Sequence, residues 1–424
     1  MEIIVSVMML LVLAHIGGEL AEQVGIPSIA AEVGVGILVG PAALGFITPN
    51  EGLQAIANVG IFMLVILAGF EMKPEDIHNA LKKGTYIIGW CGLLIPFATG
   101  FIIGEIYGLT PRITASLFLG LCISITALPV VIRILMDLKM LHTETGKVLV
   151  ASVITDDVVS LVVLAIILNI SDSGDFISGL INSGIIFLKV IIFGGLIVLV
   201  NRFFRRKIGL VSIFPIHFRN LISKLKKKES LFALTILFVL VFSAVTELMG
   251  LHFIIGAFFG SLILSAEVLG KKYYESVEKA VSAMHFGFLA PVFFAYMGML
   301  FTFNVFNNWI LLLVILIAAI VSKIAGGFLG GKLVGFPAGT SFTLGCGMVG
   351  RGIMELVIAN IGLENHLIDE DLFSALVFIA IITTLTTPFL LKLSKRLQTR
   401  NKWERRRTAF SPPAGKGWDS AHVK

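Results

Sequence analysis

Val153-Ile154-Thr155-Asp156-Asp157-Val158-Val159 places two adjacent carboxylates in the middle of an apolar run that extends over about residues 146–170. A run of that length crosses a bilayer as a helix, and no solvated turn fits inside it. Charges at that depth are costly and are retained for function. Neighbouring helical residues project about 100° apart, so the two acids face different neighbours. They still repel one another, so one of them readily holds a proton until a cation compensates it. A proton site that has a reason to release its proton when a cation arrives is the first functional expectation.

The rest of the chain supports a membrane reading. Its 424 residues are 57% hydrophobic and only 14% charged, against about 25% charged in soluble domains. About 13 runs are long and apolar enough to span, at roughly 2–22, 27–48, 54–71, 85–108, 112–136, 146–170, 177–200, 230–250, 252–269, 279–302, 308–334, 338–363 and 370–393. The first run lacks a basic leader and carries Glu2, so it is read as a retained helix. Cys91, Cys122 and Cys346 are far apart in apolar runs and are read as buried small hydrophobes. The formal charge of +6 has no long polar domain behind it, so nucleic acid is not an expected partner, and neither a cofactor nor an enzymatic activity is expected.

Lys and Arg placement orients the chain with its N-terminus outside and its C-terminus inside. The inward side then holds Lys73, Lys82, Lys83, Arg133, Lys139, Lys147, Lys271, Lys272 and Lys332. It also holds a basic connector over 201–229 and a short polar tail over 396–424. The outward loops carry Arg112 and are otherwise acidic, with Asp172, Asp175, Glu364, Asp369, Glu370 and Asp371. An odd number of spans between halves gives inverted topology, so two inverted repeats of about six helices joined by a linking helix at 177–200 are expected. The interruptions Ile125-Thr126-Ala127-Leu128-Pro129 and Gly345-Cys346-Gly347-Met348-Val349-Gly350 fall at matching places in the two halves. Interrupted helices at matching positions point to a transport site.

Few other charges lie deep. Lys323, in Val321-Ser322-Lys323-Ile324-Ala325-Gly326-Gly327, needs an anion, and one of the two aspartates is the obvious partner. Arg351 and Glu355 are four apart on one helix face, where they either pair with each other or hold the broken helix to the bundle. His285 is expected to be a satisfied structural histidine, and Glu71, Lys189 and Glu247 to be interfacial or structural. Thr126, at a break, and Thr155, beside the acids, offer the hard oxygen ligands that Na⁺ takes, with Asp156 and Asp157 as the carboxylates.

These residues together resemble the sodium/proton exchanger superfamily. The motifs are Thr155-Asp156-Asp157, the break with Thr126 and Pro129, Lys323 before two glycines, and Gly350-Arg351-Gly352 with Glu355. The paired aspartates, with Pro291-Val292-Phe293-Phe294 and Met297-Gly298-Met299, resemble its monovalent cation:proton antiporter-2 branch. The resemblance implies an all-α homodimer with crossing broken helices. It implies core helices over about 54–170 and 279–393, dimerisation helices over about 2–48 and 230–269, and elevator-like alternating access in a prokaryotic inner membrane. It implies that Asp157 binds ion and proton, that Asp156 pairs with Lys323, and that Thr126 and Thr155 line the site. Exchange of Na⁺ or Li⁺ for H⁺ is expected, with K⁺/H⁺ exchange as the alternative. A channel would need a filter that is not found, and an organic-anion symporter has little use for paired aspartates.

Overall fold

A computed structural model describes residues 3–24, 27–71, 84–108, 113–141, 143–172, 228–249, 252–264, 269–351 and 353–409, with isolated positions between 184 and 195. The expected linking helix at 177–200 and nearly all of the connector at 201–229 lie outside the described residues, as do 410–424. Among the described residues the chain is helical throughout. Eight helical segments are long and apolar enough to cross a membrane, and three shorter apolar ones accompany them.

The order is α1 (Ile3–Gln23), α2 (Ser28–Val39), α3 (Glu51–Glu71), α4 (Thr85–Tyr107), α5 (Ile113–Ser124), α6 (Leu128–Asp137), α7 (Glu144–Asp172), α8 (Lys228–Leu248), α9 (Phe253–Ile263), α10 (Lys271–Met299), α11 (Trp309–Leu333), α12 (Ala338–Met348), α13 (Ile353–Glu364) and α14 (Glu370–Ala409). A π-helical turn, His285–Leu289, interrupts α10, and a 3₁₀ segment, Phe303–Asn308, leads into α11. The expected run 112–136 is divided into α5 and α6, and 338–363 into α12 and α13. Pro129 sits in the first turn of α6, where its missing N–H costs nothing but stops α5 from continuing. The second break falls where the chain reads Val349-Gly350-Arg351-Gly352. The last helix runs through Ala409, so the first half of the expected polar tail is helical, as its Leu, Lys, Arg and Gln content allows.

The extensive packing among described helices falls into two groups. One holds α4–α7 and α11–α14; the other holds α1–α3 and α8–α10. Helix α11 lies between α4 and α12 because glycines on two of its faces admit backbone. A Cβ on Gly326 would come within 2.5 Å of the Cys91 carbonyl, and one on Gly327 within 2.5 Å of Gly345 Cα. Small residues at helix contacts are the usual means of close approach in lipid, where no hydrophobic drive separates helix from solvent. Helix α3 packs on α9 and α10. Residues 51–71 and 279–299 therefore pack with the second group, in contrast to the expected core groupings of about 54–170 and 279–393. Gly69 lies against Phe258 and Ser261 of α9, which a larger residue would prevent.

Candidate ion site at the crossed helix breaks

The two interruptions meet. The Ala127 amide donates to the Gly350 carbonyl at 2.9 Å, and the Thr126 hydroxyl donates to the Met348 carbonyl at 3.1 Å. Each break thus satisfies groups the other leaves open, which is how non-helical backbone survives at membrane depth. The remaining carbonyls at the end of α5 are taken by a side chain. Arg351 donates through Nη1 to Cys122 O at 3.2 Å and through Nη2 to Ile123 O. A guanidinium at a helix C-terminus also meets the negative end of the helix dipole. Glu355 accepts from Arg351 Nη1, and the Thr384 hydroxyl of α14 donates to the Arg351 carbonyl at 2.7 Å. Arg351 thus pairs with Glu355 and also bonds the end of α5 across the break. Its backbone partners could not be read from the sequence because they lie more than two hundred residues away.

Asp156 and Asp157 lie in the middle of α7, facing this crossing. Lys323 of α11 donates to Asp156 Oδ2 at 2.8 Å, and both side chains are 0% exposed. The same ammonium donates to the Gly92 carbonyl of α4 at 2.9 Å. Thr126 lies beside the Asp156 carboxylate, so the first break borders the acids. Asp157 is buried beside it and lies within electrostatic range of Lys323. Lys323 in turn is within range of Arg351 and Glu355, which joins the two ion pairs into one cluster.

Not every expected ligand converges. The Thr155 hydroxyl donates back to Ala151 O at 3.1 Å, and its side chain lies against Gly89 of α4. Back-bonding of this kind is the ordinary habit of threonine in helices. His285 is buried as expected but is not satisfied: neither ring nitrogen has a hydrogen-bond partner among the described residues. Glu32 of α2, which the sequence analysis does not single out, is also buried. The Gly92 carbonyl was missed too, although Pro96 four residues later is a legible sign that it lacks a helical donor.

The family model of the sodium/hydrogen exchangers, transmembrane, matches residues 8–393. The chain belongs to the sodium/hydrogen exchanger family. A Bacillus cereus relative named "Na(+)/H(+)-K(+) antiporter GerN" is 30% identical over 393 residues, covering 92% of this chain and 96% of that protein. A "Na(+)/H(+) antiporter" of Enterococcus hirae is 28% identical over 394 residues, covering 92% and 98%. The structure of the sodium proton antiporter MjNhaP1 from Methanocaldococcus jannaschii aligns with a TM-score of 0.72 at 17% identity, covering 93% of this exchanger and 98% of that chain. At that identity the likeness is one of fold.

Proposed function

We propose that the protein exchanges a monovalent cation, Na⁺ in the first instance, for protons across the cytoplasmic membrane of a prokaryote. The observation that carries this reading is the charge of the buried cluster. Asp156 and Asp157 are adjacent buried carboxylates in the middle of α7, with Lys323 bonded to Asp156, so carboxylate charge is concentrated inside the bundle at the crossed breaks. An isolated carboxylate buried in an apolar medium costs many kcal/mol. A proton or a small monovalent cation at Asp157 lowers that cost, and the two are alternatives at the same place. Thr126, with backbone freed at the break, supplies the uncharged oxygens that a hard cation takes. Relatives named as sodium/proton antiporters support the same reading.

The group α4–α7 with α11–α14 is the moving transport body in this proposal, and α1–α3 with α8–α10 the scaffold of a homodimer. Inverted repeats, an outside N-terminus and elevator-like movement complete it. A second reading, K⁺ for H⁺, is favoured by the printed name of the Bacillus cereus relative, which includes K⁺. Dequenching of a pH-sensitive dye in proteoliposomes, on adding NaCl, LiCl or KCl, decides between them. Proton release with none of the three salts would overturn the proposal, and release with KCl alone would select the second reading.

A further inference from the structure

In a regular helix the Gly92 carbonyl would accept from the amide of residue 96. Residue 96 is Pro96, inside α4, and proline has no amide hydrogen. The carbonyl is therefore left without its helical donor in the interior, where an unpaired backbone acceptor is costly. Lys323 supplies the missing donor at 2.9 Å while also bonding Asp156 at 2.8 Å. The approach is built in on three sides. A Cβ on Gly326, one turn along α11 from Lys323, would meet Cys91 O at 2.5 Å and Gly92 Cα at 3.0 Å. A Cβ on Gly92 would meet Met348 Cε, at the second helix break, at 2.2 Å.

The same construction recurs in α10. Pro291 deprives the Gly287 carbonyl of its donor, and His15 of α1 hydrogen-bonds to that carbonyl through Nε2 at 3.0 Å. Two glycine–proline pairs at the same spacing thus each present a carbonyl to a side chain from another helix.

We infer that Pro96 is a positioning residue for Lys323, acting through the freed carbonyl of Gly92. The carbonyl is an acceptor that neither protons nor Na⁺ can remove. When the charge of Asp156 is drawn toward an incoming cation, the ammonium keeps one fixed partner and stays in place. Lys323 is thereby shared between two acceptors, and its hold on Asp156 is loose enough for Na⁺ to compete. This inference rests on the antiport reading above and specifies how one of its residues is held.

The test is Pro96→Ala in proteoliposomes at fixed pH with NaCl as the titrated salt. The new amide reclaims the Gly92 carbonyl, the ammonium falls to Asp156 alone, and the KM for Na⁺ should rise about tenfold, the effect of one hydrogen bond to a charged group. The maximal rate should change little. Na⁺-dependent thermal stabilisation of the purified protein should shift to higher NaCl in parallel. In a Lys323→Ala background, Pro96→Ala should leave the Na⁺ dependence of that stabilisation unmoved. A second variant separates the carbonyl from the kink. Ile95→Pro with Pro96→Ile keeps a proline in α4 but frees the Cys91 carbonyl instead, and it should behave like Pro96→Ala. An unchanged KM in both variants, a swap variant that behaves like wild type, or an equal shift with and without Lys323 would overturn the inference. Loss of Na⁺-driven proton release in the wild type would instead count against the antiport reading.

Discussion

Lys323→Ala should destabilise the protein, and Asp156→Asn should restore part of the loss. The ammonium and the Asp156 carboxylate are each 0% exposed and 2.8 Å apart, so removing the lysine leaves a buried, uncompensated charge. Breaking such a pair costs about 3–5 kcal/mol. With an unfolding entropy of about 2.1 cal/mol/K per residue over the 424 residues, that is a fall in Tm of about 3–6 °C. Asp156→Asn in the Lys323→Ala protein removes the stranded charge and should recover most of the fall. Recovery stays incomplete because the Gly92 carbonyl, bonded to Lys323 at 2.9 Å, remains without a donor, a residue of about 1–3 kcal/mol. Asp157→Asn in the same background should recover less, since no ion pair of Asp157 with Lys323 matches that of Asp156. The assay is a full cycle of four proteins in one detergent, melted by intrinsic fluorescence at one pH and salt. Strict additivity of the two single changes would refute the pair as an energetic unit.

Asp157→Asn should abolish Na⁺-driven proton release from proteoliposomes while leaving the melting curve near wild type; full transport in that variant would exclude Asp157 as the carrier. Arg351→Ala strands Glu355 and uncaps the Cys122 and Ile123 carbonyls, so it should lower the Tm at least as far as Lys323→Ala does, and Glu355→Gln should recover only part of it. Recovery to wild type would mean that the carbonyl cap is dispensable. Competition at one site requires the apparent Na⁺ affinity to weaken steadily as pH falls, because protons occupy the carboxylate that Na⁺ needs, while the rate at saturating Na⁺ changes little. A Na⁺ affinity constant over about pH 5–9, a range that brackets perturbed carboxylates, would rule competition out.

Much of the site is legible in the sequence because membrane burial makes charge rare. Asp156, Asp157, Lys323, Arg351 and Glu355 stand out as the deep charges of their runs, and all five are buried in one cluster. Both breaks are legible as well, from Pro129 and from the glycines before Arg351. What periodicity does not carry is which side of a helix meets which neighbour. Helix α3 reads as one more apolar span, and only the glycine contacts of Gly60 and Gly69 with α10 and α9 assign it to its group. The partners of backbone carbonyls are equally silent, because every residue has a carbonyl. The exception is a carbonyl four residues before a proline, where the lost donor is written in the sequence. Thr155 misleads for the opposite reason: a hydroxyl beside two acids looks like a ligand, yet its own helix offers the nearer acceptor at Ala151.

The arrangement explains why the ion pairs and the ion site belong in one place. A transport body that carries a charge through an apolar barrier must be neutral or nearly so at each crossing. Lys323 with Asp156, and Arg351 with Glu355, are neutral pairs that tie α11 to α7 and α13 to the end of α5. Arg351, bonded to Glu355 and to the Cys122 and Ile123 carbonyls, holds the crossed breaks together. In the proposed mechanism Asp157 is the carboxylate that takes the proton or the cation. Because the pairs are internal to one group of helices, the proposed movement of that group against the other would not require either pair to break. The one side-chain hydrogen bond described between α3 and α13, Gln54 Nε2 to Glu364 Oε1 at 2.8 Å, lies at an exposed end of the bundle, where water can replace it at little cost. Selectivity then reduces to what may sit against Asp157 and the oxygens around Thr126. Coupling follows from the requirement that something must, since an empty, charged site has no cheap route across. Replacing both members of the Lys323–Asp156 pair by apolar residues of similar size, Met and Leu, should therefore cost less stability than Lys323→Ala alone, the remaining loss being that of the undonated Gly92 carbonyl, about 1–3 kcal/mol. The same protein should lose Na⁺-coupled proton release, because the Asp156 carboxylate would be gone from the site. If that apolar variant still exchanged Na⁺ for H⁺ with wild-type affinity, the Asp156 carboxylate would have no part in the site.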